Sequence, residues 1–250
     1  MTGSVTQIWR YPIKSHGREA LEQISLTAGL TMPGDRLWAV ANEASKADGS
    51  SWASFQNFNR GSQSPRLMAI SSQLDWESMT VTLSHPDLPD LTFKPDDPDD
   101  QARFIDWVFP LTPKNRVSPA RLLRSRDRGW TDTELPSVTL CNLASHRAVE
   151  RAVGQQLSTD RWRGNVWFDG LPEWAEFEWI GREVQIGGVV FIPRERTERC
   201  LATASNPETG ERDVDTLGAL NKNWNHQDFS VRAEVVRGGE IRVGDQVKVL

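Results

Sequence analysis

The sequence predicts a mostly β protein with a few helices (α+β), arranged as barrels or folded sheets. Three observations predict it. Short apolar or alternating runs recur along the whole chain and are split by turn residues. Helical spacing is confined to three segments. There is no βαβ alternation and no internal repeat, which disfavours a dinucleotide-binding fold. At 250 residues the chain is long enough to bury a sizeable core, as one large β unit or two modest domains.

In the first half, 5–13, 21–26, 37–41, 67–71 and 79–83 read as strands. In the second half, 166–168, 177–180, 183–186, 189–192, 230–236 and 246–250 join them. Such runs at short spacing favour a barrel or folded sheet. The end of the chain, "GGEIRVGDQVKVL", reads as two strands about a Gly244-Asp245 turn. A helix is expected over 101–108, where Asp99 and Asp100 suit its N-terminus. A second is expected over 143–153, with Asn142 as cap and Gly154 as stop. Val214, Leu217 and Leu220 follow Asp213 at the spacing of a third.

Charge is uneven. Between Asp87 and Asp106, seven aspartates face Lys94 and Arg103; between Lys114 and Arg128, six basic residues face only Asp127. The acidic stretch also carries Pro86, Pro89, Pro95 and Pro98, which mark a surface connection. A domain boundary is expected within 95–130. Lys+Arg of 29 against Asp+Glu of 34 leaves a net charge of −5, so no nucleic-acid partner is expected. No apolar run has the length of a membrane span and no signal segment opens the chain. The expectation is a cytoplasmic protein with no membrane partner. Two cysteines cannot build a disulfide framework. Eleven tryptophans accompany a single tyrosine.

Several catalytic patterns are absent: no Walker loop, no G-x-S-x-G, no H-E-x-x-H. His16, His85, His146 and His226 are scattered and are expected to be structural or surface residues, so a zinc site is not expected. Cys200 is the unusual residue. Arg194, Arg196 and Arg199 precede it, and Asn206-Pro207-Glu208-Thr209-Gly210 follows as a turn. Cations favour the thiolate, the form that ligates metals or attacks electrophiles, although Glu195 and Glu198 offset them. Cys141, in the apolar run "SVTLC", is expected to be a buried small hydrophobe. Lys14 and Ser15 follow a strand in "YPIKS", and Arg36 opens another in "GDRLW"; such groups at strand ends suit a phosphate.

In order, these segments resemble the MOSC family (molybdenum cofactor sulfurase C-terminal domain) with its N-terminal β-barrel partner domain. "VTQIWRYPIKS" and "GLTMPGDRLWAV" resemble landmarks of the partner domain. "LPSVTLCNLAS" and "DRWRGNVWFDGL" resemble the start of the MOSC domain, and "GGEIRVGDQVKVL" its closing strands. "ERCLATASNPETGERD" resembles the R-C-x-x-T-x-x-(D/N)-P-x-T-G segment, the most specific of the set. The resemblance divides the chain into a MOSC N-terminal β-barrel domain at 1–115 and a MOSC domain at 116–250.

The two-domain members are similar to the amidoxime-reducing components and their bacterial relatives. The resemblance implies a molybdenum cofactor (molybdopterin) between the domains and a molybdenum-dependent oxidoreductase. It would reduce small N-hydroxylated or N-oxide substrates by oxygen-atom removal. It makes Cys200 the metal ligand and catalytic residue. It makes Lys14, Ser15, Arg36, Ser145, Arg163, Asn165 and Arg199 cofactor-binding. Arg36 and Arg163 would grip phosphate oxygens, and Ser145 and Asn165 would read neutral pterin groups. Glu211 and Asp213 are read as salt-bridge or capping residues, with proton transfer as the alternative. Pyridoxal phosphate binding attaches to the family only, since no pyridoxal-binding domain is visible. There is no ferredoxin-like cysteine cluster, so a separate electron-donor protein is expected. The alternative functional reading is a molybdenum cofactor carrier or sulfur-transfer protein using a Cys200 persulfide. A further alternative is a barrel that has lost the cofactor and binds another small anion. Where relatives read T-x-R-x-x-P-x-L, this chain has "SFQNFNRGSQSPRLM", with Arg60 shifted and the loop longer.

Overall fold

Alternation of buried and half-buried residues along Gly3–Arg10 makes the first strand two-faced, and its inward face starts the core of a barrel. The computed structural model describes residues 2–126 and 128–250; Met1 and Asp127, the one acid of the basic stretch, lie outside the described residues. In chain order the strands are β1 (Gly3–Arg10), β2 (Ile13–Lys14), β3 (Glu19–Leu21), β4 (Gln23–Leu26), β5 (Trp38–Asn42), β6 (Ser71–Asp75), β7 (Thr80–His85) and β8 (Leu88–Phe93). They continue as β9 (Pro119–Arg124), β10 (Val138–Asn142), β11 (Val166–Asp169), β12 (Val184–Ile186), β13 (Val189–Glu198), β14 (Asp228–Arg237), β15 (Gly239–Arg242) and β16 (Gln246–Val249). Three α-helices are found among the described residues: α1 (Pro98–Val108), α2 (Leu143–Val153) and α3 (Thr216–Trp224).

Seven strands close a barrel in the order β11-β10-β14-β13-β12-β16-β1, with β1 pairing back to β11 and β3 attached outside β1. The first strand of the chain is thus a stave of the barrel that the second half builds. A second exchange pairs β4 with β15. The inward residues, among them Val5, Ile8, Leu140, Phe168, Val184, Phe191 and Val231, form one apolar core. A separate core lies in the N-terminal half, where Phe104 and Val108 of α1 pack with Trp38 and Val40 of β5. There β2, β5 and β9 form one sheet and β6, β7 and β8 another. No helix among the described residues is long and apolar enough to cross a membrane.

The helices start where side-chain caps satisfy free N–H groups. Asn142 Oδ1 accepts from Ala144 N at 3.0 Å, and Gly154 ends α2 at φ 76°, as expected from the sequence. The first helix begins at Pro98, earlier than the apolar spacing indicated, because Asp97 accepts from both Asp99 N and Asp100 N and Pro98 takes the first helical position. The third is capped by Asp215, not Asp213.

Three strand expectations need correction. Residues 65–69 form a 3₁₀ turn that Pro65 initiates, and the strand starts only at Ser71. Residues 175–179 form another, inserting Phe177 and Trp179 into the barrel core; an apolar run without period does not separate this from a strand. The Pro-rich acidic stretch contains β8, at a sheet edge where Pro89 needs no ladder donor. The two strands expected about Gly244-Asp245 are present as β15 and β16, and each pairs elsewhere: β15 joins β4, and β16 joins β1 and β12.

Candidate functional site

The ends of β2 and β13, the turn before β5 and the turn before β11 converge on a cavity of about 410 Å³. Three of its wall residues, Ser15 (φ 64°), Arg36 (φ 52°) and Arg163 (φ 49°), are non-glycines in the left-handed region. Such conformations cost about 1–3 kcal/mol each and persist only where the surroundings enforce them. The enforcing contacts are visible. Arg36 N donates to Tyr11 O at 2.6 Å, and Arg163 N to Asp160 O at 3.2 Å. Arg36 Nη2 donates to Arg163 O at 3.1 Å, and Arg163 Nη2 to Gly17 O at 3.2 Å. Both guanidinium groups stack on the chain's only tyrosine, Tyr11, at 5.0 and 4.3 Å from its centroid. Tyr11 donates its hydroxyl to Gly164 O at 3.0 Å, and burial pushes the phenol well above its ordinary range, so it stays neutral.

Lys14 is buried. It donates to Trp130 O at 2.7 Å and to the Asp132 carboxylate, which opens onto the cavity. Burial lowers the Lys14 ammonium from its ordinary value while Asp132 opposes the shift. The enclosing walls would raise the Asp132 carboxyl, but Lys14 and then Arg36 overrule them and hold it below the usual carboxylate range. The two groups thus oppose each other's burial cost, and the contact joins them across the cavity wall.

Pairing sorts the remaining cations. Arg36 is held by Asp35, Arg161 by Asp213 at 2.8 Å, and Arg232 by Glu195 at 2.7 Å. Among the described residues, Arg60, Arg163 and Arg199 line the cavity with no carboxylate partner. Burial pulls Arg163 down to about 10, still a cation at neutral pH, and lowers Arg199. Arg60 Nε, Arg199 Nε and Thr197 Oγ1 are buried with no hydrogen-bond partner. Buried polar groups are normally satisfied, so these point to an absent acceptor-rich partner. A cavity rich in charge-assisted donors binds anions.

Cys200 is exposed on the cavity wall, at the start of a 3₁₀ turn (Leu201–Ala204). Its carbonyl accepts from Thr203 N and Thr203 Oγ1, each at 3.1 Å, which fixes the backbone and leaves the thiol free. A strand irregularity between Arg196 and Glu198 precedes it and re-aims the end of β13. Cys141 is the opposite case. It is fully buried, burial pushes its thiol up to about 12, and a Cβ on Gly164 would lie 2.1 Å from its sulfur.

Of the residues selected from sequence, Lys14, Ser15, Arg36, Arg163, Arg199 and Cys200 share this cavity. Ser145 and Asn165 do not. Ser145 donates to Glu176 Oε1 at 2.8 Å and accepts from Trp174 N at 2.7 Å, tying α2 to the turn that plugs the barrel. Asn165 accepts from Thr139 N at 3.1 Å and donates to Trp9 O at 3.2 Å, bracing β1 against β10. Their polar groups are consumed by the fold. Asp213 pairs with Arg161 and accepts from Asn206, and Glu211, two positions before it, is exposed. Sequence reasoning missed Asp132, Arg161, Thr197 and Arg232. Asp132 meets Lys14 across 118 positions of chain, a pairing with no local signal. Ser145→Ala is expected to lower stability by about 1–3 kcal/mol, the cost of leaving a buried acceptor unmet. Denaturant unfolding checks this; unchanged stability with loss of ligand binding would return Ser145 to the site.

A family model for the MOSC domain matches residues 136–248, and one for the MOSC N-terminal beta barrel domain matches residues 2–114. The chain belongs to the MOSC family and carries both domains. Among curated proteins it is similar to mitochondrial amidoxime-reducing component 1 of Mus musculus, 25% identical over 99% of this chain and 82% of the relative. The Homo sapiens protein of the same name is 24% identical over 83% of this chain and 68% of the relative. Among solved structures, the YUAD protein from Bacillus subtilis aligns over 100% of this chain and 96% of its own, at TM-score 0.48 and 10% identity.

Proposed function

We propose that this chain is a molybdenum-cofactor-binding oxidoreductase that removes the oxygen of N-hydroxylated compounds. The observation that carries the reading is the free thiol of Cys200 in one cavity with three guanidinium groups that lack carboxylate partners. Membership of the MOSC family and similarity to proteins named amidoxime-reducing components support it.

The residues fit the cofactor on their own chemistry. Molybdopterin presents a phosphate dianion, hydrogen-bonding pterin edges and a soft metal. Lys14, Arg36 and Arg163 form the cationic cluster suited to the phosphate. Arg199 Nε and Thr197 Oγ1 are unpartnered groups suited to the pterin edge. Cys200 supplies the soft thiolate that molybdenum accepts. A volume of about 410 Å³ lies in the range of small-molecule sites.

When bound, the cofactor supplies two-electron oxygen-atom chemistry. The net reaction for an amidoxime consumes two electrons and two protons, breaks the N–O bond, and gives an amidine and water. The protein holds the reactants. Stacking on Tyr11 and hydrogen bonds to Arg163 O and Gly17 O hold the Arg36 and Arg163 cations in place, which reduces the ordering cost of binding. The Lys14–Asp132 pair keeps one further cation in the wall. A separate electron-donor protein supplies the reducing equivalents.

Expression in a host that makes the cofactor tests the reading. About one molybdenum per chain is expected, with reduction of benzamidoxime by reduced viologen. A metal-free protein with labile sulfur on Cys200 would overturn it and favour the sulfur-transfer alternative.

A further inference from the structure

The chain between β5 and β6 places an arginine and a phenylalanine at the cavity on the same side as Cys200. Its anchoring is explicit. Asn59 N donates to Val40 O at 2.9 Å, and Phe58 is buried against Trp130, whose carbonyl receives Lys14. Arg60 O accepts from Gln63 N at 3.0 Å and Ser64 N at 2.9 Å, closing a tight turn. A Cβ on Gly61 would lie 3.5 Å from that of Ala202, two residues past Cys200, and Arg212 donates to Ser62 O at 2.7 Å. The turn is thus packed on the Cys200 turn.

Arg60 stacks on Phe55 at 4.9 Å from the ring centroid. It has no carboxylate partner among the described residues, and its Nε is buried without an acceptor. Phe55, on the cavity wall, is 36% exposed and offers an apolar face beside Arg60. The Tyr11-stacked arginines already provide for the cofactor's phosphate, which leaves Arg60 as a cation beside the thiol, where a reacting compound must approach.

We propose that Arg60 and Phe55 form a clamp for a carboxylate-bearing substrate: an N-hydroxylated compound with a flat apolar body and an anionic group at the end remote from its N–O bond. The stacked guanidinium is held in one orientation and presents its planar donors bidentately, while Phe55 takes the apolar body. This assignment rests on the oxidoreductase reading above.

Benzamidoxime and 4-carboxybenzamidoxime test it as a pair. With reduced viologen, the wild-type protein is expected to favour the carboxylated compound in kcat/KM. The ratio of the two values is expected to fall about tenfold or more in Arg60→Ala, the loss of one hydrogen bond between charged groups. Arg60→Gln keeps a polar side chain at the turn and removes the charge, and it should give the same fall if the alanine variant folds poorly. An unchanged ratio in a folded variant overturns the clamp. Calorimetry of the same compounds on oxidised protein, with no electron source, separates the two proposals. If neither compound is reduced, the oxidoreductase reading fails. The clamp then still stands if the carboxylated compound binds wild type more tightly than Arg60→Gln, and falls if the affinities match.

Discussion

Cys200→Ala is expected to reduce amidoxime turnover to the level of the electron donor alone while leaving the fold intact. The thiol is exposed and makes no capping hydrogen bond, so its removal creates no cavity and orphans no buried partner. Exposed substitutions of that kind shift stability by only about ±0.5 kcal/mol. The backbone around it is fixed by the two Thr203 contacts to the Cys200 carbonyl, which any residue can accept. Activity and stability therefore separate. Steady-state reduction with viologen, alongside a melting curve, checks both; full activity in a normally folded variant would remove Cys200 from the chemistry.

Arg163→Ala is expected to strip the cofactor with a smaller loss of stability than Arg36→Ala, which should lose the cofactor and a buried ion pair together. The difference lies in their partners. Arg163 has no carboxylate to leave behind and sits over Tyr11 at 4.3 Å. Each charge-assisted hydrogen bond to a phosphate oxygen is worth about 1.5–3 kcal/mol, so a two-point grip lost from Arg163 weakens retention by a factor of roughly 10²–10⁴. Arg36 also neutralises Asp35, whose side chain is 1% exposed and accepts from Tyr11 N at 2.9 Å. Breaking a buried pair by removing one partner costs about 3–5 kcal/mol. Molybdenum content after gel filtration, measured with unfolding curves, distinguishes them. Equal destabilisation of both variants would contradict the pairing argument, and unchanged metal content in both would remove the cationic cluster from cofactor binding.

Much of the barrel was legible because period-2 alternation is local: β1, β13 and β14 carry it openly. The exchange of β1 into the second half's barrel was not, since pairing with Val166–Asp169 depends on contacts across most of the chain. The site shows the same division. Cys200, Arg36 and Lys14 stand in segments with a recognisable order of residue types. Asp132 and Thr197 do not, and only folding brings them to the cavity wall. Ser145 and Asn165 look chemically suited to a pterin in the sequence. Their hydrogen-bonding capacity is spent on Glu176, Thr139 and Trp9, a fact that residue type cannot reveal.

The identity of the atoms around the metal tests the central claim most directly. X-ray absorption at the molybdenum edge, on protein loaded in a cofactor-producing host, counts the sulfur neighbours. Wild type is expected to show one more sulfur than Cys200→Ala at equal metal loading. An identical sulfur count in the two proteins would contradict ligation by Cys200 and, with it, the account of how this cavity works.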